Sequence, residues 1–379
     1  MRVAIDIRRA WDFGFGTYTR NILHNLAEID RDTSYLLIGQ RSHFQLCQPL
    51  PDNFEFFEYE PSPGTFQTHF ALPFKLRGRI DLLHMPWFYA PAFVPAKLII
   101  TIHDLTDILQ PARGTSPVVQ AGRLFFARRA LRKAARIITV SQSAQRDLAR
   151  IFTVDESKIR VIYNAVDDGF RTEPLTPDAD LILERHAVND PYVLYAGSIK
   201  PQKNLARLIE AFAVAKSELQ AIPAFANLKL LLIGNALAEH SDLRRAVVRS
   251  RVRGDVRFLG FVPLPVLRVF YARARAFLFP SLYEGFGFPP LEAMAHGAPV
   301  LASNVSAMPE ILSDAALRVN PENVFEIARG IVQIVTDDEL RQTLIRRGYE
   351  QVEQYSWRRT AEQVHQVYYD VINGRQRAG

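Results

Sequence analysis

The sequence predicts an α/β protein built from two doubly wound domains. Three observations carry that expectation. Short apolar strands alternate with amphipathic helices along the whole chain, as in parallel sheets covered by helices on both faces. The alternation falls into two series, separated by a segment (167–191) that holds Pro174, Pro177 and Pro191 and has little apolar periodicity. The 379 residues are also enough for two separate cores.

The first series predicts strands at 3–7, 35–38, 81–84, 98–102, 137–140 and 160–162. The second predicts them at 192–196, 228–233, 256–258, 276–279, 300–302 and 317–319. The expected domains are 1–170, joined by the C-terminal helix 357–379, and 191–356, with a linker at 171–190. That last helix places apolar residues at 357, 361, 364, 367 or 368, and 371, close to helical spacing.

Composition narrows the function class. Apolar content of 48% with 23% charged residues is ordinary for a globular chain. No apolar run approaches the ~18 residues of a membrane span. The start of the chain reads as a strand interrupted by Asp6 and Arg8, not as a signal peptide. Cys47 is the single cysteine, so no intramolecular disulfide or cysteine zinc cage forms. These features predict a cytoplasmic protein. Between Arg113 and Arg150 nine basic side chains face one acid, Asp147. Much of this excess lies on a helical stretch, 122–136, with Leu124, Phe125 and Phe126. It reads as a surface for anionic lipid on the inner face of the plasma membrane, as a solvated face, or as a patch for acceptor phosphates. No nucleic-acid-binding motif accompanies the charge.

The first strand leads into Trp11-Asp12-Phe13-Gly14-Phe15-Gly16-Thr17-Tyr18, which opens a helix. Gly16, and after it Gly14, suit close backbone approach to a phosphate. The third glycine of a dinucleotide fingerprint is missing, with Thr19 or Arg20 in its place, which argues against a nicotinamide or flavin enzyme. His103 and Asp104 end the strand 98–102, at the end of a strand where ligands bind in open α/β sheets.

The second series opens with strand, turn and helix over 195–205, and the turn holds Ser198, Lys200 and Lys203. A lysine placed there can stabilise charge on a departing phosphate. Gly234, before Asn235, and the turn 258–262 ending at Val262 close two further strands. Asn164 reads as a turn or hinge residue. Asp178 and Asp180 form a chance D-x-D in the linker. The densest segment is Tyr283–Ala293, where Glu284 and Glu292 bracket Gly285, Phe286 and Gly287 between a buried strand and a helix opening on Pro289-Pro290. His296-Gly297 stops that helix. Carboxylates accept paired hydrogen bonds from the vicinal diols of ribose or hexose, which suits a nucleotide sugar.

These elements resemble the family 4 retaining glycosyltransferases, most closely from 192 to 312, where the E-x7-E segment 284–292 has the family's form. The resemblance implies the GT-B architecture, two Rossmann-like domains facing across a cleft, with the terminal helix crossing back onto the first. It implies a metal-independent transferase that needs no cofactor and takes a nucleotide-diphospho-sugar as donor. By the same resemblance Glu292 meets the ribose diol, and Glu284 with the backbone of 285–287 holds the sugar. Lys203 and the glycine loop at 14 and 16 meet the diphosphate, His103 lies beside the transferred sugar, and Gly234 and Val262 line the base pocket. Asp104 either orients His103 or meets the acceptor. The family's partner arginine is absent here; Ser198 follows the glycine, Gln202 precedes Lys203, and Lys200 is the candidate substitute. The subgroup resembled transfers mannose from GDP-mannose in polysaccharide or O-antigen assembly, with a glycan or polyprenyl-diphosphate-linked acceptor. A UDP-sugar transferase, a UDP-sugar 2-epimerase of the same fold and a non-catalytic partner subunit are the alternatives.

Overall fold

The computed structural model describes residues 1–374 except 13, 64, 92, 110–115, 172–174, 177 and 235–240, and the side chains of 107 and 109. Phe13, Arg113, Pro174, Pro177, Asn235 and the terminal 375–379 therefore lie outside the described residues. The chain divides into two compact units, Met1–Ala165 with Ser356–Gly379, and Val166–Tyr355.

The first unit is a seven-stranded sheet in the order β3-β2-β1-β4-β5-β6-β7. Its strands are β1 Arg2–Asp6, β2 Ser34–Gly39, β3 Phe54–Glu58, β4 Leu82–Met85, β5 Lys97–Ile102, β6 Arg136–Thr139 and β7 Ile159–Val161. All six of its strand pairs are parallel. The central strands are buried on both faces, which accounts for their continuous apolar runs. The chain reverses direction across the sheet between β1 and β4, and the loops after these strands open a crevice there. β3 was not expected from the sequence: Phe54-Glu55-Phe56-Phe57-Glu58 is an edge strand with charges on its exposed positions.

The helix Trp357–Ile372 belongs to this first unit, as the resemblance implies. Tyr368 Oη lies 2.6 Å from His84 Nδ1 on β4, and Thr360 Oγ1 donates to Tyr163 O at 2.7 Å.

The second unit is a six-stranded parallel sheet in the order β10-β9-β8-β11-β12-β13. Its strands are β8 Tyr192–Ala196, β9 Lys229–Ile233, β10 Val256–Gly260, β11 Ala276–Phe279, β12 Val300–Ser303 and β13 Ala316–Val319. Here the reversal lies between β8 and β11. The expected linker at 171–190 is corrected by the structure, because it falls within this unit and contains the helix Ala179–Arg185. Arg273 pairs with Asp180 at 2.9 Å, and Arg257 donates to the carbonyls of His186 and Ala187, so the segment packs instead of merely connecting.

Candidate active site

In the second unit the loops after β8 and β11 are sewn together at the reversal point. Leu282 N donates to Gln202 O at 2.8 Å, and the buried Asn204 amide donates to Pro280 O and Pro321 O at 3.1 and 2.7 Å. Asn204 sits in the left-handed region, φ 63°, which turns the chain from the short helix Pro201–Lys203 into the helix Leu205–Leu219. This geometry sets Lys203 Nζ 2.5 Å from Glu284 Oε1, both side chains only 12% exposed. Phe279 lies under the ammonium at 5.1 Å. A pair so sheltered holds each charge in place, since removing one partner strands the other.

Glu284 is fixed through its backbone by Ser306, whose hydroxyl receives Glu284 N at 3.1 Å and donates to Glu284 O at 2.6 Å. Gly287 follows with φ 104°, a backbone conformation that favours glycine, and a Cβ there would also have to displace the Met308 methyl, 2.4 Å away. The helix Phe288–Ala295 then carries Glu292 inward. Tyr271 Oη donates to Glu292 Oε2 at 3.0 Å. Burial nevertheless pushes the Glu292 carboxyl up to about 7; the Tyr271 hydrogen bond opposes the rise and the nearby Asp167 charge adds to it. His296 stops the helix with its Nδ1 on Glu292 O at 3.0 Å, and its ring stacks on Tyr271.

The remaining residues expected in this unit divide by what they do. Ser198 is placed by Tyr195 Oη donating to its carbonyl at 2.8 Å. Lys200 is exposed at the loop. Gly234 packs backbone on backbone, since a Cβ would meet Gly197 O at 2.3 Å. Val262 is buried at the end of β10. The Phe286 ring is also buried, edge-on to Tyr355 at 5.6 Å, so this residue has only its backbone to offer a ligand. Ser306 and Tyr271 were missed in the sequence. The role of Ser306 depends on a loop 22 residues beyond Glu284, and Tyr271 reads as one more apolar position of its helix.

In the first unit a cavity opens at the ends of β1, β4 and β5, lined by Arg9, Phe15, Trp87, Tyr89, His103 and Asp104 among others. His103 is clamped edge-on by Phe15 and Tyr18 at 4.9 and 4.7 Å. Its Nε2 lies 3.1 Å from Pro86 O, and a carbonyl only accepts, so Nε2 carries the proton and Nδ1 keeps its lone pair. Burial pushes His103 down to about 4, against the opposing pull of the Asp104 charge, so the ring is neutral at pH 7. Asp104 Oδ1 accepts from Thr106 N at 2.8 Å and so caps the following turn. Gly16 N donates to Asp12 O at 2.8 Å. Glycine is required there for packing, since a Cβ would lie 2.4 Å from Ala10 O. Gly14, with φ 74°, has open space around it.

Residues 14–170 match the family described as Glycosyltransferase Family 4, and residues 182–351 match Glycosyl transferases group 1. The O-antigen chain mannosyltransferase B of Escherichia coli is 32% identical over 289 residues, 76% of this chain and 74% of that protein. The serotype-specific mannosyltransferase WbdA of the same species is 29% identical over 71% of this chain, which spans only 33% of WbdA's length. Sucrose-phosphate synthase from Thermosynechococcus elongatus superposes over 99% of this chain and 100% of its own with a TM-score of 0.76 at 22% identity, a likeness of fold. Two parallel α/β units ending in such sites define a GT-B glycosyltransferase. The chain belongs to glycosyltransferase family 4.

Proposed function

We propose that this enzyme transfers mannose from GDP-mannose, with retention of anomeric configuration and without a metal ion. The acceptor is a glycan or a polyprenyl-diphosphate-linked glycan at the inner membrane face, in cell-surface polysaccharide assembly. The single observation that carries the reading is the sheltered Lys203–Glu284 pair at the β8/β11 reversal, with Glu284 eight residues before Glu292 in the chain. Its chemistry matches a donor that presents a diphosphate, a hexose and a ribose diol together. The choice of mannose rests on the names of the two mannosyltransferases above.

In this reading Lys203, with Lys200 beside it, neutralises the diphosphate as the bond from sugar C1 to the phosphate oxygen breaks. Glu284 exchanges the Lys203 ammonium for sugar hydroxyls, and Glu292 accepts hydrogen bonds from the ribose diol. The acceptor hydroxyl attacks C1 on the face the diphosphate leaves, and its proton passes to the departing phosphate oxygen. His103 Nδ1 accepts from a sugar hydroxyl as a neutral ring.

Thermal stability measured with EDTA against GDP-, UDP-, dTDP- and ADP-sugars tests the donor, because a ligand that binds only the native state raises apparent stability in proportion to RT ln(1 + [L]/Kd). GDP-mannose alone is expected to raise the midpoint. A shift confined to UDP-sugars overturns the donor assignment. The anomeric proton of the first-formed product, followed by NMR, tests retention.

A further inference from the structure

Aromatic side chains on the helix Phe66–Leu76 point the wrong way for a core. Thr68, His69, Leu72, Pro73 and Leu76 are buried, while Phe66 and Phe74 are 76% and 78% exposed and Phe70 lies between them. The spacing i, i+4, i+8 makes one outward stripe of the three rings. The buried face is tied down: Thr68 Oγ1 receives Arg8 Nη1 at 2.8 Å, and His69 stacks on Phe126 at 4.1 Å. The stripe is therefore a fixed feature of the helix.

Phe126 belongs to the helix Pro117–Lys133, and the two helices share this surface. The rings run on from Phe66 to Phe70 at 4.4 Å and from Phe70 to Phe93 at 5.8 Å. Arg129 and Lys133 then lie over Phe93 at 4.8 and 5.7 Å. One turn before Arg129 on the same face stands Phe125, 62% exposed, and Val118 follows at 81%. The two helices and the residues just after the first also carry Lys75, Arg77, Arg79, Arg123, Arg128 and Arg132, and no acidic residue occurs between 61 and 80 or between 116 and 146.

We propose that this face docks on an anionic bilayer, with the phenylalanines entering the boundary between headgroups and acyl chains and the basic side chains meeting lipid phosphates. The occupant must be apolar and anionic at once over two helices, and a membrane surface is both. A second copy of the face would set cations against cations, a repulsive arrangement. The docking does not depend on the donor assignment.

The test is co-sedimentation of the full chain with vesicles of phosphatidylglycerol and phosphatidylethanolamine, compared with phosphatidylcholine alone. The expected result is binding to the anionic vesicles that weakens with salt. The double substitution Phe66→Ser, Phe74→Ser, which leaves the charge intact, should weaken it about tenfold. A far-ultraviolet circular dichroism spectrum and a thermal midpoint equal to wild type serve as the folding control. In a second measurement, Phe74→Trp fluorescence should shift to the blue on vesicles and be quenched by brominated acyl chains. Equal binding of the serine variant, no preference for anionic vesicles, or a self-association that the serines abolish would each overturn the proposal.

Discussion

The ends of β8 and β11 in the second unit and the ends of β1, β4 and β5 in the first occupy equivalent places in their sheets, yet their electrostatics differ. The second unit holds a lysine and two glutamates, the lysine neutralised by Glu284 and the other carboxyl pushed toward neutrality by burial. The first holds an imidazole kept neutral between aromatic edges; Arg9, stacked over Phe15 at 3.9 Å and paired with Asp12, is its one lining cation among the described residues. Charge stored as an internal pair can be exchanged for a charged ligand at little net desolvation. A neutral acceptor between rings suits hydroxyls. The two units thus present chemically distinct sites, one built on a charge pair and one on a neutral imidazole.

The largest expected effect breaks the charged site. Lys203→Ala should lower turnover with GDP-mannose by about 10²–10³-fold, with part recovered in Lys203→Arg. A loss under about threefold would remove the lysine from the chemistry. Next, Gly287→Ala must place a Cβ at φ 104° and against Met308, so its thermal midpoint should drop by an amount corresponding to about 1–3 kcal/mol. A midpoint equal to wild type would show that the turn relaxes freely.

A smaller effect sharpens the contrast. If ionised Glu292 grips the ribose diol, donor affinity should rise as pH passes through about 7. Glu292→Gln should weaken binding about tenfold and flatten that profile. A profile unchanged by the substitution would detach the carboxyl from the nucleotide.

The smallest effect separates the two units by the sign of their pH response. The folded-state value of Glu292 is raised, so the native state binds the extra proton, and this group's contribution to stability falls as pH rises from about 4.5 to 7. The values of His84 and His103 are lowered, to about 3 and 4, so the unfolded chain binds the extra protons and their contribution is lost as pH falls below about 6.5. Thermal midpoints of Glu292→Gln should therefore exceed wild type most at alkaline pH. Those of His103→Gln should lose less than wild type on acidification, and the reverse order would refute the assignment.

Much of this was legible in the sequence because it is local. The run Ala276–Ala295 encodes strand, turn and helix within itself, and Tyr192–Ala196 reads as the strand it is. The edge strand Phe54–Glu58 escaped because its charges, Glu55 and Glu58, stand three apart and break the period-2 alternation of a half-buried strand. The Lys203–Glu284 contact spans 81 residues and the His84–Tyr368 contact 284, so both depend on strand order that no local pattern states. Gly16 shows a further limit of local reading: glycine fits close packing on Ala10 as well as it fits a phosphate. The outward stripe of Phe66, Phe70 and Phe74 shows in the sequence only as apolar spacing, and which side faces the body is a tertiary fact.

Isothermal titration of GDP-mannose in EDTA against wild type, Lys203→Ala and Glu292→Gln tests the central claim, that these charged side chains hold the donor without a metal. The account predicts saturable binding by wild type and affinity weaker by about tenfold in each variant. Equal affinity in all three proteins, or binding that appears only when a divalent cation replaces EDTA, would contradict it.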